Sequence, residues 1–158
     1  MTTLKSCLAT LALLALTCAL CSCNHAGAAS TQSPSPTDTE TQALRVQYLE
    51  IVTVDVDATC SALAKVHGVT FGEPDAGLGN ARTAALEGGG WIGVRAPMAE
   101  HDQPIVRPYA LVDDIETAIK AAEAAGGEFA MRATEIPGGR GRFAIYFLGG
   151  TQFGLWER

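Results

Sequence analysis

The chain has 158 residues, 47% of them hydrophobic, and carries 11 Lys/Arg against 17 Asp/Glu for a net charge of −6. With no basic run anywhere, that balance excludes nucleic acid as a natural partner, because phosphate binding needs clustered cations. Cys60 is the only one of the five cysteines beyond residue 23, so no disulfide can form within the segment that follows.

Lys5 precedes an uncharged apolar stretch from Leu8 to Leu20, the charged start and hydrophobic middle of a secretory signal. It is shorter than the roughly 20 apolar residues a membrane-spanning helix needs. No amphipathic partner pattern adjoins it, which argues against a buried core helix. Cys7, Cys18, Cys21 and Cys23 all fall in this segment. Leu20-Cys21-Ser22-Cys23 resembles the lipobox of bacterial lipoproteins, whose final cysteine is acylated. The resemblance implies a signal peptide over residues 1–22 and a mature chain that begins at lipidated Cys23. With Asn24 next, it implies a lipid anchor in the cell envelope, at the outer membrane and facing the periplasm. Ordinary secretion and a Cys-x-x-Cys-x-Cys metal site are the alternatives, and the second lacks a fourth ligand. Residues 23–44, with Ser33-Pro34-Ser35-Pro36, are too poor in large apolar side chains to repay ordering, so they read as a flexible tether.

Residues 45–158 make one domain with an internal echo. Val46 to Val54 is rich in β-branched and aromatic residues and predicts a strand. Asp57 to His67 predicts a helix, capped by Asp55 or Asp57 and closed by Gly68. Val69 to Phe71, Arg82 to Leu86 and Trp91 to Ala96 predict three more strands, separated by turn clusters at residues 72–77 and 88–90. The plan then repeats. Ile105 to Val112 predicts a strand, and Asp113-x-x-Glu116 has the form of a capping box. Ile115, Ala118, Ile119, Ala122 and Ala125 recur at helical spacing as a buried stripe, ended by Gly126-Gly127. Glu128 to Ile136, Arg142 to Leu148 and Thr151 to Glu157 complete the second unit. Asp55 and Asp113 lie 58 residues apart, and Gly93 and Gly154 lie 61 apart.

Strand alternation sorts the side chains into two faces. Leu49 and Ile51, Ile92 and Val94, Pro108, Ala110 and Val112, with Phe153 and Leu155, form a uniformly apolar face suited to burial beneath the helices. The opposite face carries Tyr48 and Glu50; Trp91, Gly93 and Arg95; Arg107, Tyr109 and Leu111; and Gln152, Gly154 and Trp156. Aromatic walls with a few oriented polar groups are the composition of a small-molecule pocket. Arg107 suits a carboxylate or phenolate by forked hydrogen bonding, and the tryptophans offer stacking area. A filled polar inner layer with Glu50 paired to Arg95 or Arg107 is the alternative. It leaves one cation unmatched in a partly desolvated place. His101 and its acidic neighbours read as a solvated connector, Cys60 as a small core residue, and Gly138-Gly139-Arg140-Gly141 as a mobile lip over the cleft.

Tyr109-Ala110-Leu111-Val112-Asp113-Asp114, Glu135-Ile136-Pro137-Gly138 with Gly141-Arg142-Phe143-Ala144, and Phe153-Gly154-Leu155-Trp156 carry a further resemblance. In this order and spacing they resemble a glyoxalase-like branch of the vicinal oxygen chelate superfamily, which includes glyoxalase I, bleomycin-resistance proteins and extradiol dioxygenases. The resemblance covers residues 46–157. It implies an α+β fold of two tandem βαβββ units, at about residues 46–97 and 105–157, forming a curved mixed sheet around a cleft. In that superfamily the metal ligands stand at positions that here hold Tyr48, Gly93, Arg107 and Gly154. None of these is His, Glu or Asp, so no metal and no other cofactor is expected.

Three functions stay open. The first is a membrane-tethered envelope protein that binds a small organic ligand, anionic or aromatic, through Tyr48, Glu50, Trp91, Arg95, Arg107, Tyr109, Gln152 and Trp156. The second is a metal-independent enzyme of glyoxalase, lyase or isomerase type with Glu50 as its base beside Arg95 or Arg107. A carboxylate held against arginine is a weak base, which counts against it. The third is a protein interaction module. Two units in one chain complete a cleft, so a monomer and a homodimer are equally compatible.

Overall fold

A computed structural model describes residues 43–158. The signal segment, Cys23 and nearly all of the tether lie outside the described residues. Among the described residues no helix is long and apolar enough to cross a membrane.

The first unit consists of β1 (Val46–Val52), α1 (Val56–His67), β2 (Pro74–Asp75), β3 (Ala81–Leu86) and β4 (Gly90–Arg95). The second consists of β5 (Ile105–Leu111), α2 (Ile115–Ala124), β6 (Glu128–Glu135), β7 (Arg142–Leu148) and β8 (Thr151–Glu157). All strands join one eight-stranded sheet in the order β2-β3-β4-β1-β5-β8-β7-β6. β1 and β5 meet antiparallel at its centre, and each runs parallel to the last strand of its own unit, β4 and β8. The molecule is therefore α+β, with two βαβββ units related across the β1–β5 seam.

Both helices cover one face. Under α1, Cys60 packs with Phe71, Ala84, Ile92 and Val94, and Leu49 and Ile51 join them. Under α2, Ile115 and Ile119 pack on Ala144 and Leu155. This is the apolar set that strand alternation assigns to the helices. The other face carries a separate cluster of Tyr48, Tyr109, Ile136 and Trp156. Because successive side chains on a strand point to opposite faces, a single register fixes both the core and the cleft.

Local chemistry explains the helix ends. Asp55 accepts a hydrogen bond from the Ala58 amide at 2.9 Å and caps α1, while Gly68 closes it in the left-handed conformation (φ 68°). α2 begins one residue later than the capping-box pattern predicts. Asp114, not Asp113, is the cap and accepts from the Glu116 and Thr117 amides at 2.9 and 3.2 Å. Glu116 turns outward to Arg142 at 3.0 Å, so the reciprocal half of the box does not form. The stripe ends at Ala122, since Ala125 stands at the C-cap and is exposed.

Val69 to Phe71 is not a strand. That stretch contributes Val69 and Phe71 to the core beneath α1, and its exit is tied by the Gly72 amide to Thr83 O at 2.8 Å. The ladder to β3 is instead formed by Pro74 and Asp75, inside the segment that reads as a turn. Val69 serves burial rather than pairing, and Thr70 is exposed.

Candidate functional site

The centre of the helix-free face is built on the β1–β5 ladder, which sets Tyr48 opposite Tyr109 and Glu50 opposite Arg107. Next to it, the parallel ladders set Glu50 beside Gly93 and Tyr109 beside Gly154. The glycines are where the rings lie down. A Cβ on Gly93 would stand 2.0 Å from Tyr48 Oη, and one on Gly154 would stand 2.1 Å from Tyr109 Cδ1. The space those glycines leave is thus taken by the protein's own tyrosines. Tyr48 lies 5.5 Å from Tyr109 and 5.5 Å from Trp156 between ring centroids, and Tyr109 meets Trp156 edge-on at 6.1 Å. These tilted contacts are favourable for aromatic quadrupoles.

Beside the rings lies a buried charge network. Glu50, Arg95 and Arg107 are only 6%, 3% and 5% exposed. Glu50 Oε1 accepts from Arg95 Nε at 2.6 Å; Oε2 accepts from Arg107 Nη1 and, at 3.0 Å, from the Tyr109 hydroxyl. Asp102, in the connector between the units, accepts from Arg95 Nη1 at 2.5 Å and from the Met98 amide at 3.1 Å. The fork of Arg107, formed by Nε and Nη2, closes on the single amide oxygen of Gln152, with Nε at 2.9 Å. Two guanidinium groups therefore face two carboxylates. The cation that one glutamate alone leaves unmatched is met by Asp102, which sequence reasoning had placed in a solvated connector.

Electrostatics follow from this burial. Desolvation, reinforced by the Glu50 charge, pushes the Tyr48 and Tyr109 phenols well above the ordinary tyrosine value, so both stay protonated. Burial pushes the Asp102 carboxyl up, but the hydrogen bonds from Arg95 and the Met98 amide, with the charges of Arg95 and Arg107, outweigh it and hold the group below its ordinary value. Burial likewise opposes the Arg95 charge, and the Asp102 and Glu50 carboxylates more than restore it.

A cavity of about 120 Å³ remains against this centre, walled by Leu78, Met98, Met131, Ile136, Phe143 and Ile145 and floored by Tyr48, Tyr109 and Trp156, with Glu50, Arg95 and Arg107 at its polar end. Tyr48 is among its lining residues, and its hydroxyl, which lies over Gly93, is buried with no hydrogen-bond partner among the described residues. Past Arg95 and Arg107 a wider groove of about 470 Å³ continues between the connector (His101, Gln103) and Phe147 and Gln152. On the other side a recess of about 190 Å³ is lined by Thr83, Trp91 and Trp156 and by the Asp75–Arg140 ion pair.

The eight site residues expected from sequence are thus divided. Tyr48, Glu50, Arg95, Arg107, Tyr109 and Trp156 meet around the central cavity. Gln152 belongs to the groove and Trp91, at 37% exposed, to the outer recess. Asp102 and the walls from β6, β7 and Leu78 were missed. The period-2 alternation of Phe143 and Ile145 was a usable signal for β7; nothing local marked Leu78. The glycine-rich lip is held down, because Arg140 reaches Asp75 of the first unit, at 3.0 Å from Nη2 to Oδ1, and its carbonyl accepts from Trp156 Nε1 at 3.2 Å.

A divalent ion does not fit this arrangement. Of the four positions that the sequence resemblance marks for metal ligands, Gly93 and Gly154 are covered by tyrosine rings, Tyr48 is a phenol held protonated, and Arg107 is a cation. Among the described residues no group of three or more His, Cys, Asp or Glu side chains could hold a metal.

No family model matches the chain, and no curated protein does. Solved structures do match. A hypothetical protein of Bacillus halodurans superposes with a TM-score of 0.58 at 14% identity, over 74% of this chain and 96% of its own. Methylmalonyl-CoA epimerase from Mycobacterium tuberculosis gives 0.55 at 16% identity, over 71% and 86%. A methylmalonyl-CoA epimerase in complex with methylmalonyl-CoA gives 0.52 at 12% identity, over 73% and 95%. At these identities the likeness establishes the vicinal oxygen chelate (glyoxalase) fold, and a shared fold does not fix a shared reaction.

Proposed function

We propose that this chain is a metal-independent small-molecule-binding protein of the cell envelope, anchored by lipid on Cys23 and carrying its binding domain at the end of the residue 23–44 tether. The observation that carries the reading is Tyr48, which lines an apolar-walled cavity and whose buried hydroxyl has no hydrogen-bond partner among the described residues. A buried hydroxyl left unmet costs about 1–3 kcal/mol, and a ligand that bonds to it recovers that cost. An engineered apolar cavity of about 150 Å³ holds benzene. A space of about 120 Å³ is somewhat smaller, so it takes a short branched chain or part of a small ring with one polar atom, and the rest of the ligand extends into the groove beyond Arg95 and Arg107.

The fold likeness to methylmalonyl-CoA epimerase brings an isomerase to mind, with Glu50 as the candidate base. Glu50 opposes it, because Oε2 accepts two hydrogen bonds and Oε1 a third, from donors that are themselves buried. Little of the carboxylate is left to take a proton from carbon.

Thermal shift against a panel of small ring compounds, phenol and benzyl alcohol among them, tests the binding reading. The wild type is expected to gain stability with at least one, and Tyr48→Phe to lose most of that gain. A flat response across the panel sinks the reading. Incorporation of labelled palmitate, abolished by Cys23→Ser, tests the anchor; equal labelling of the two proteins refutes it.

A further inference from the structure

Arginines in a binding cleft ordinarily point to an anionic ligand, and these two do not. Each carboxylate–guanidinium contact of the network is direct: Glu50 bridges Arg95 and Arg107, and Asp102 takes the second side of Arg95. The remaining fork of Arg107 is filled by a neutral carbonyl oxygen, that of Gln152. Two cations and two anions balance, and the acceptor that completes the set is uncharged. A ligand carboxylate entering the groove meets Asp102, and one in the cavity meets Glu50, each where water screens poorly; to reach the Arg107 fork it has to displace an amide whose own charge was zero. An uncharged carbonyl, carboxamide or hydroxyl group meets no such repulsion.

We propose that the site selects uncharged polar-tipped ligands over their carboxylate analogues, and that Asp102 is the residue that sets this selectivity by neutralising Arg95. The proposal rests on the small-molecule reading above and names its ligand class. Asp102 holds this post because of where the connector runs. The Met98 amide and the Arg95 guanidinium both converge on its Oδ2, so the loop that joins the two units carries the counter-charge into the cleft.

Two measurements test it. The first is binding of benzamide and benzoate, a pair matched in shape, to the wild type and to Asp102→Asn. The wild type is expected to favour benzamide by about tenfold or more, and Asp102→Asn to erase or invert that ratio. Equal affinity in the wild type, or an unchanged ratio in the variant, overturns the proposal. The second needs no ligand. Gln152→Glu places a third carboxylate at the Arg107 fork, so in a balanced network it lowers the melting temperature, as does Asp102→Asn; the double variant restores the count and should melt above either single one. Additive losses in the double variant overturn the proposal whatever binds. Compensation there with neither probe binding leaves the charge assignment standing and counts against the small-molecule reading instead.

Discussion

The two units solve one packing problem alike and then diverge. In each, a tyrosine lies over a glycine of a neighbouring strand, Tyr48 on Gly93 and Tyr109 on Gly154, and both residues are buried. Tyr109 ends in the charge network, donating to Glu50 at 3.0 Å and lying 3.3 Å from Arg107 Nη1. Tyr48 lines the cavity and ends over Gly93, its hydroxyl without a partner among the described residues. The registers make Glu50 the counterpart of Tyr109 and Arg107 that of Tyr48, so one residue type covers both glycines from non-equivalent positions and is bonded in one half and not in the other. What separates them is where each ring points: the Tyr109 hydroxyl reaches Glu50 across the seam, whereas the Tyr48 hydroxyl lies over Gly93.

The largest effect should come from removing the hub of that difference. Glu50→Ala strips Arg95, Arg107 and Tyr109 of a shared acceptor, and breaking a buried pair by deleting one partner costs about 3–5 kcal/mol. Chemical denaturation of the variant measures it. A loss under about 1 kcal/mol, the range of a surface ion pair, would mean that the two tyrosines do not differ through Glu50.

Next in size are the glycines. Gly154→Ala drives a methyl into three atoms of the Tyr109 ring at 2.1–2.5 Å, whereas Gly93→Ala meets Tyr48 at its hydroxyl end, 2.0 Å from Oη. Overpacking of this kind costs about 1–3 kcal/mol. Tyr48 borders open space and Tyr109 is bonded in place, so Gly154→Ala should be the more damaging. Gly93→Ala should spend part of its strain by pushing Tyr48 into the cavity, and so weaken ligand binding as well. Equal losses of stability would erase the asymmetry.

Tyr109→Phe should cost about 1.5–3 kcal/mol, the worth of a hydrogen bond to a charged group, measured by denaturant unfolding.

Acidification sharpens the comparison from the carboxylate side. The folded-state value of Asp102 lies below the ordinary 3.8. Its contribution is therefore complete above that pH and is lost as pH falls through the lower folded value. Melting curves of the wild type and Asp102→Asn should be farthest apart near neutrality and converge below pH 3.8. A gap independent of pH would mean that Asp102 acts by shape rather than charge.

How much of this could be read from the chain alone follows from the range of the forces involved. Strand alternation is local and sorted Leu49, Ile51, Ile92 and Val94 from Tyr48, Glu50, Arg95 and Arg107 correctly, because one register sets both faces. Cap chemistry placed α1 through Asp55 and Gly68 and missed α2 by a residue, since Asp113 and Asp114 are chemically equivalent until Ile115 is buried. Asp102 was illegible as a site residue. It sits in an irregular connector, and only the tertiary path of that loop brings it to Arg95. The glycines are ambiguous for a related reason. A missing side chain shows that something comes close without showing what, and here it is a ring of the same chain.

The smallest stability effect, and the one that separates the halves most cleanly, is Tyr48→Phe. Deleting a hydroxyl that has no partner removes a desolvation penalty and leaves the ring contacts with Tyr109 and Trp156 untouched. The variant should be as stable as the wild type, or more stable by about 1 kcal/mol. Against the loss expected for Tyr109→Phe, that is a difference in sign from one substitution made at two residues that face each other across the seam. Ligand binding should respond in the opposite order, falling most in the variant whose stability changes least. If Tyr48→Phe instead destabilised the fold as much as Tyr109→Phe does, its hydroxyl would have to be bonded within the unliganded protein. The cavity would then lose the unpaired polar group on which the binding reading rests.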